Sequence, residues 1–175
     1  MTITEERLLG RAKNSVLTFF ERRISIPKIY LDATWDGVEL DVLAIDRDGI
    51  GDVHAALLFT RRYFADGLLD IARDAEMVSQ LIERFDSIPA NFKYIVAVDA
   101  NRPLPANLFR VSEPLKERLF ASNGIGRIGL LHVTEEADDT LETNYVLKAE
   151  RFRAVIAKLA DSYVQEHNAD WEIRA

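Results

Sequence analysis

The stretch Val38–Phe59, VELDVLAIDRDGIGDVHAALLF, constrains this chain more than any other. It holds two apolar runs of strand length, separated by a turn rich in glycine and aspartate. The second run, VHAALLF, is apolar at almost every position, the pattern of a strand covered on both faces. Helices must then supply both coverings, which predicts an α/β architecture. Upstream, KIYLDATWDGVELDVLAID reads as a hairpin turned at Asp36-Gly37, so the two apolar runs become the second and third strands of a meander.

The flanking segments fit that frame. Thr4, Glu5 and Glu6 precede apolar residues at helical spacing (Leu8, Leu9, Ala12, Val16, Leu17, Phe20), which predicts a capped amphipathic helix ending near Arg23. From Asp66, DGLLDIARDAEMVSQLIERF predicts a second helix with Asp66 as its N-cap and Pro89 as its stop. FKYIVAVDA reads as a fourth strand and RIGLLHV as a fifth. Between them PANLFRVSEPLKERLFASNGIG suggests a helix, interrupted or started afresh around Pro114 and closed by Asn123-Gly124. TEEADDTLET is expected as a solvated loop around Asp138 and Asp139, NYVLK as an edge strand, and ERFRAVIAKLADSYVQEHN as a last helix. The order implies one mixed sheet with helices on both faces, a single domain over residues 1–175 with neither repeat nor internal boundary.

Charge and composition exclude several function classes. The formal net charge of -7 argues against broad attraction to phosphate polymers. It leaves room for a local basic patch, which Arg7, Arg11, Lys13, Arg22, Arg23 and Lys28 supply. The chain has no cysteine, so disulfides, thiolate metal sites and cysteine nucleophiles are excluded, and any metal must be held by oxygen or imidazole. The N-terminal stretch does not fit a secretory signal, and nowhere do about 18 apolar residues run together, so no membrane span and a cytoplasmic location are expected. No G-x-S-x-G elbow occurs. The glycines of GIGRIG follow a helix instead of joining a strand to one, unlike a phosphate loop. Asp46, Asp48 and Asp52 do not have calcium-loop spacing and read as a turn.

Asp41 is the residue that asks for an explanation. An ionised carboxylate inside an apolar strand costs several kcal/mol unless a cation, a donor or water meets it. GVELDVLAID with the turn into a third apolar strand, then PANFKYIVAVDA and GIGRIGLLHV, resembles the PD-(D/E)XK nuclease superfamily, the restriction-endonuclease-like fold. The resemblance spans nearly the whole chain. It implies that Asp41 is the second-strand acid of a Mg²⁺ site, with Glu39 on the same strand face and Glu21 standing for the acid of the first helix. It places His54 where the third strand's acid belongs and Ala56 where its lysine belongs. Alanine cannot stabilise developing charge. A relocated Lys28, Arg61, Arg62 or Lys93 would have to replace that cation.

Three functions therefore stay open. The first is a degenerate nuclease-fold protein that no longer cleaves and acts as a DNA-related binding or assembly module, with Arg22, Arg23 and Lys28 as nucleic-acid contacts. The second is an active Mg²⁺-dependent nuclease using Glu21, Glu39, Asp41 and His54 with a relocated basic residue. The third is a protein-interaction subunit or homodimer with no nucleic-acid role, in which Val155, Ile156, Leu159 and Tyr163 of the last helix form a seam or pack on the sheet.

Overall fold

A computed structural model describes residues 3–35, 37–48, 52–61, 68–69, 71–86, 88, 90–99, 110–120, 126–136, 140–152 and 172–174. Helix α1 (Ile3–Glu21) opens with Glu5 and Glu6 in its first turn, where carboxylates complement the exposed N–H groups. Three strands follow as a meander, β1 (Pro27–Trp35), β2 (Val38–Asp46) and β3 (Val53–Thr60), antiparallel at each step. Asp46 closes the turn after β2, its Oδ1 accepting from the Asp48 N–H at 2.9 Å.

After β4 (Leu68–Leu69), α2 (Ile71–Asp86) crosses over to β5 (Phe92–Asp99), which lies parallel to β3. Then come β6 (Arg110–Val111), α3 (Glu113–Arg118), β7 (Gly129–Glu135) parallel to β5, and β8 (Leu141–Leu147), antiparallel to β7. A last short strand, β9 (Glu172–Arg174), pairs with β1. The main sheet is seven-stranded in the order β8-β7-β5-β3-β2-β1-β9, and β4 and β6 form a separate parallel pair.

Each face of the sheet has its own core. Ala12, Val16 and Phe20 of α1 pack with Val42, Ala44, Ala56, Val96 and Leu131. Val78, Leu81 and Phe85 of α2 pack with Leu43, Ile45, Ala55, Leu57 and Ile95 on the opposite face. Neighbouring residues of β3 thus serve opposite cores, which is why VHAALLF is apolar throughout. The α/β class and the mixed sheet agree with the sequence. Among the described residues no helix is long and apolar enough to cross a membrane.

Several boundaries differ, for physical reasons. Leu68–Leu69 belong to a strand because they pair with Arg110–Val111, so the second helix begins at Ile71; Asp66 and Pro89 lie outside the described residues. The third helix is described over Glu113–Arg118, opened by Ser112, whose Oγ accepts from the Leu115 N–H at 3.3 Å; residues 100–109 and 121–125, with Asn123 and Gly124, lie outside the described residues. The acidic TEEADDTLET stretch is mostly strand at both ends, because Thr134 pairs with Glu142 and Glu135 with Leu141; Asp138 and Asp139 lie outside the described residues. Glu150 bridges to Arg127 instead of starting a helix, and Val155, Ile156, Leu159 and Tyr163 lie outside the described residues.

Gly126 shows how the segment after β8 is seated. Its φ is +92°, and a Cβ there would meet the Phe152 ring at 2.7 Å. Gly126→Ala is expected to lose about 1–3 kcal/mol of stability, from backbone strain and displacement of that ring, measurable by urea unfolding.

Candidate functional site at the kink of β1 and β2

The pairing of β1 with β2 runs in regular register but skips one pair, between Leu31↔Val42 and Ala33↔Leu40. The residues passed over are Asp32 and Asp41, and Asp32 sits in the left-handed region at φ 54°. Tyr30, Ala33, Leu40 and Leu43 all face α2, whereas Leu31 and Val42 pack toward α1. Simple alternation cannot produce that, so each strand turns two successive side chains, Leu31 with Asp32 and Asp41 with Val42, toward α1. Aspartate tolerates the left-handed region better than most residues, yet the conformation still costs about 1 kcal/mol.

At the same point β2 and β3 part. Their pairing stops at Val42↔Ala56, and the Leu58 N–H donates instead to Asp41 Oδ2 at 2.7 Å. From above, Lys13 of α1 places its Nζ on Asp32 Oδ1 and 3.5 Å from Asp41 Oδ1. The Asp41 side chain is 26% exposed and that of Lys13 18%, so this cluster is shielded without being sealed. From the other side of the sheet, Arg84 of α2 donates to the Glu39 carbonyl.

The two partners are not equally satisfied. Burial works against the Lys13 charge, but the bond to Asp32 and the charge of Asp41 outweigh it, and its pKa is raised. Burial also raises the Asp41 pKa, and the Leu58 N–H, Lys13 and Arg84 offset this only in part. Asp32 is therefore the main anion for Lys13, and Asp41 is a carboxylate held at a net cost. Hard cations need several oxygen ligands. Here Asp32 and Asp41 both turn an oxygen toward one ammonium, and among the described residues no three His, Asp or Glu side chains converge. A resident Mg²⁺ does not fit these residues as they stand.

The structure separates the residues that the sequence grouped. Glu39 projects to the same side as Asp41 by alternation, but it is exposed, at the strand's outer end. Glu21 lies two helical turns beyond Lys13, about 12 Å along the axis. His54 pairs with Ala44, four residues before Leu58 and about 13 Å along β3. Asp41, His54 and Glu21 thus do not form one site. The third-strand residues beside Asp41 on the α1 face are Ala56 and Leu58, both buried and apolar.

His54 has a different environment altogether. Its ring stacks on Phe92 at 4.8 Å and 15°, with Phe20 at 5.6 Å, and its buried Nδ1 has no hydrogen-bond partner among the described residues. Burial holds it neutral, pulling its pKa down to about 4 against the pull of Asp46, with Arg151 adding to the fall.

The three expected nucleic-acid contacts also divide. Lys28 is buried at 4% exposure beside the Tyr30 ring, which removes it from the surface. Arg22 and Arg23 are exposed and, with Arg11, line a groove of about 640 Å³ between α1 and β8. Arg23 is stacked 3.6 Å from the Phe19 ring and donates to the Phe19 carbonyl at 3.0 Å. The facing wall carries Glu136 and Glu142. The hydrogen bond with Glu136, then burial, hold the Glu142 carboxyl above the usual range. The groove is therefore of mixed charge.

Sequence reasoning missed Lys13 as the partner of Asp41 and missed Asp32 entirely. Of the basic residues weighed as a relocated cation, Arg61 and Lys93 are both buried and make other contacts. Lys93 donates to the Phe85 carbonyl at 2.7 Å near the end of α2. Arg61 lies 3.7 Å from Asp99 Oδ2, which also meets His132 Nε2 at 2.7 Å, at the C-terminal end of the parallel strands. Arg62 lies outside the described residues.

Two predictions follow from these environments. Because the folded-state pKa of Asp41 is raised, the stability of its neutral form is lost as pH rises through that value. Asp41→Asn, which keeps an acceptor for the Leu58 N–H, is expected to leave neutral-pH stability within about 0.5 kcal/mol, whereas Asp41→Ala orphans that donor and costs about 1–2 kcal/mol in denaturant unfolding. For His54, with a folded pKa of about 4 against 6.5 unfolded, stability is full above pH 6.5 and falls as pH drops toward 4. The loss reaches about 3 kcal/mol, and Phe in place of His54 should flatten that part of the stability–pH curve. No family model, curated protein or solved structure matches the chain, and the geometry of the site stands alone.

Proposed function

We propose that this protein is a restriction-endonuclease-like domain whose cleavage centre has been dismantled and that now serves as a non-cleaving, DNA-related binding or assembly module. The observation that carries this reading is the environment of Asp41. A carboxylate is kept where β2 and β3 diverge, at a net electrostatic cost, while the third-strand positions beside it, Ala56 and Leu58, are apolar. Strained and electrostatically costly residues cluster at functional sites. The strand arrangement supports the fold reading: β1, β2, β3, β5 and β7 lie side by side, β2 runs against its neighbours, and helices cover both faces. Arg11 on α1 and Arg22 just after it offer the cationic wall for a phosphate backbone.

One observation favours a second reading, an active nuclease. Lys13 brings an ammonium to Asp41 from a different element, the kind of relocated cation such an enzyme requires. Its engagement with Asp32 weighs against that role.

Fluorescence anisotropy with a short labelled duplex, over a salt series, tests the first reading. Affinity should fall as salt rises, and Arg11→Gln with Arg22→Gln should weaken binding several-fold and reduce the log–log salt slope by about 1–2. Salt-independent binding or none at all would sink the nucleic-acid role. Plasmid nicking that requires Mg²⁺ or Mn²⁺ and disappears in Asp41→Ala would replace it with the active nuclease.

A further inference from the structure

On the α2 face, at the end of β5 away from Asp99, a second cavity of about 200 Å³ contains Lys93. The residue is 7% exposed, and its Nζ donates to the Phe85 carbonyl and sits 4.4 Å from the Phe152 ring centroid. An ammonium carries three N–H donors. Among the described residues, neither a carboxylate within ion-pair distance nor a second hydrogen-bond acceptor meets this one. Burial lowers the Lys93 pKa, and Asp86 opposes that only from a distance. Buried charges are ordinarily paired. Ile82, Phe85, Phe120, Ile128 and Phe152 give the lining its apolar part.

The cavity is a constructed feature. The Phe152 N–H donates to the Asn91 carbonyl at 2.7 Å, and the Phe152 ring lies on Gly126 where any side chain would collide. Asn91 in turn is tied to β3 through the Val53 N–H, which donates to its Oδ1 at 2.9 Å. The ring that covers Lys93 is thus held from two independent segments. Asp86, Glu117 and Arg118, all exposed, form the charged rim of the same cavity, with Lys93 as its buried charge.

We infer that this cavity binds a small aromatic monocarboxylate, its ring between the phenylalanine walls and its carboxylate on the Lys93 ammonium. The size agrees: an apolar cavity of about 150 Å³ accepts benzene, and the additional space here suits one carboxylate. The anion would bring a carboxylate into direct contact with the ammonium, which Asp86 does not do, and raise the basicity of the amine toward its ordinary value. This site lies on the opposite face of the sheet from Asp41, so it is independent of the nuclease-fold reading.

Benzoate is the probe, with benzyl alcohol as its uncharged counterpart and inorganic phosphate as an anion without a ring. Isothermal titration of the full chain should give saturable benzoate binding with a Kd of about 1 mM or tighter, at least about tenfold weaker binding of benzyl alcohol, and none of phosphate. Lys93→Met should weaken benzoate binding at least about tenfold. Because that substitution also removes the bond to the Phe85 carbonyl, a second measurement uses the unaltered protein. Acetic anhydride labelling of Lys93, followed by peptide mass spectrometry, should slow several-fold when benzoate is present while other lysines keep their rates. Equal affinity for benzoate and benzyl alcohol, no saturation, unprotected Lys93, or a folded Lys93→Met variant with unchanged benzoate affinity would each overturn the assignment.

Discussion

The bond from the Leu58 N–H to the Asp41 carboxylate replaces a rung of the sheet where β2 and β3 separate. Backbone donors inside a core must be met, and an unmet one costs about 1–3 kcal/mol. A side-chain oxygen meets this one, so the two strands are free to diverge without orphaning the donor. The kink in β1, with Asp32 in the left-handed region, is the matching distortion on the other flank. Lys13 closes the arrangement by tying both carboxylates to α1.

That solution leaves a charge imbalance on the α1 side of the sheet, where Asp32 is exposed and Asp41 only partly so. Lys13 gains more from the cluster than Asp41 does, since Asp32 is its nearer partner. A protein selected for stability alone would place an asparagine or a threonine at this donor. The carboxylate has instead been kept, with strain beside it, and that combination is why the Asp41 region reads as a site and not as a structural accident. The third-strand residues next to it, Ala56 and Leu58, are apolar and offer it no charged partner.

Charge is distributed through this sheet in an unusual way. Lys28, Arg61, Lys93, Asp99 and His132 are all buried, on strands or at their ends. Arg61 and His132 both approach Asp99 at the C-terminal ends of the parallel strands, His132 at hydrogen-bond distance. Lys93 meets the last turn of α2, where carbonyl groups and the helix dipole favour a cation. Long basic side chains can bury their stems while their heads find a carbonyl or a carboxylate, and nothing local in the sequence announces which of them will do so.

The meander, the alternating helices and the mixed sheet were legible because periodicity and turn residues act locally: VHAALLF must lie between two coverings, and Asp36-Gly37 must turn. Asp41 was legible too, as a charge in an apolar run. The pairing between β2 and β3 was not. A period of two cannot tell whether His54 or Leu58 stands beside Asp41, and the kink that decides it exists only once three strands are side by side. Lys13 looked like one of several basic residues on a solvated helix face, and Lys93 like a strand-end charge. Their roles came from how α1, α2 and Phe152 pack onto the sheet. The sequence by itself determined the central strands and the first two helices, through side-chain period and backbone preference, while Leu68–Leu69 and Leu141–Thr143 became strand only through their pairing partners. Only tertiary packing decided which charges meet, because contacts between distant segments depend on register and approach, and neither is encoded at any single position.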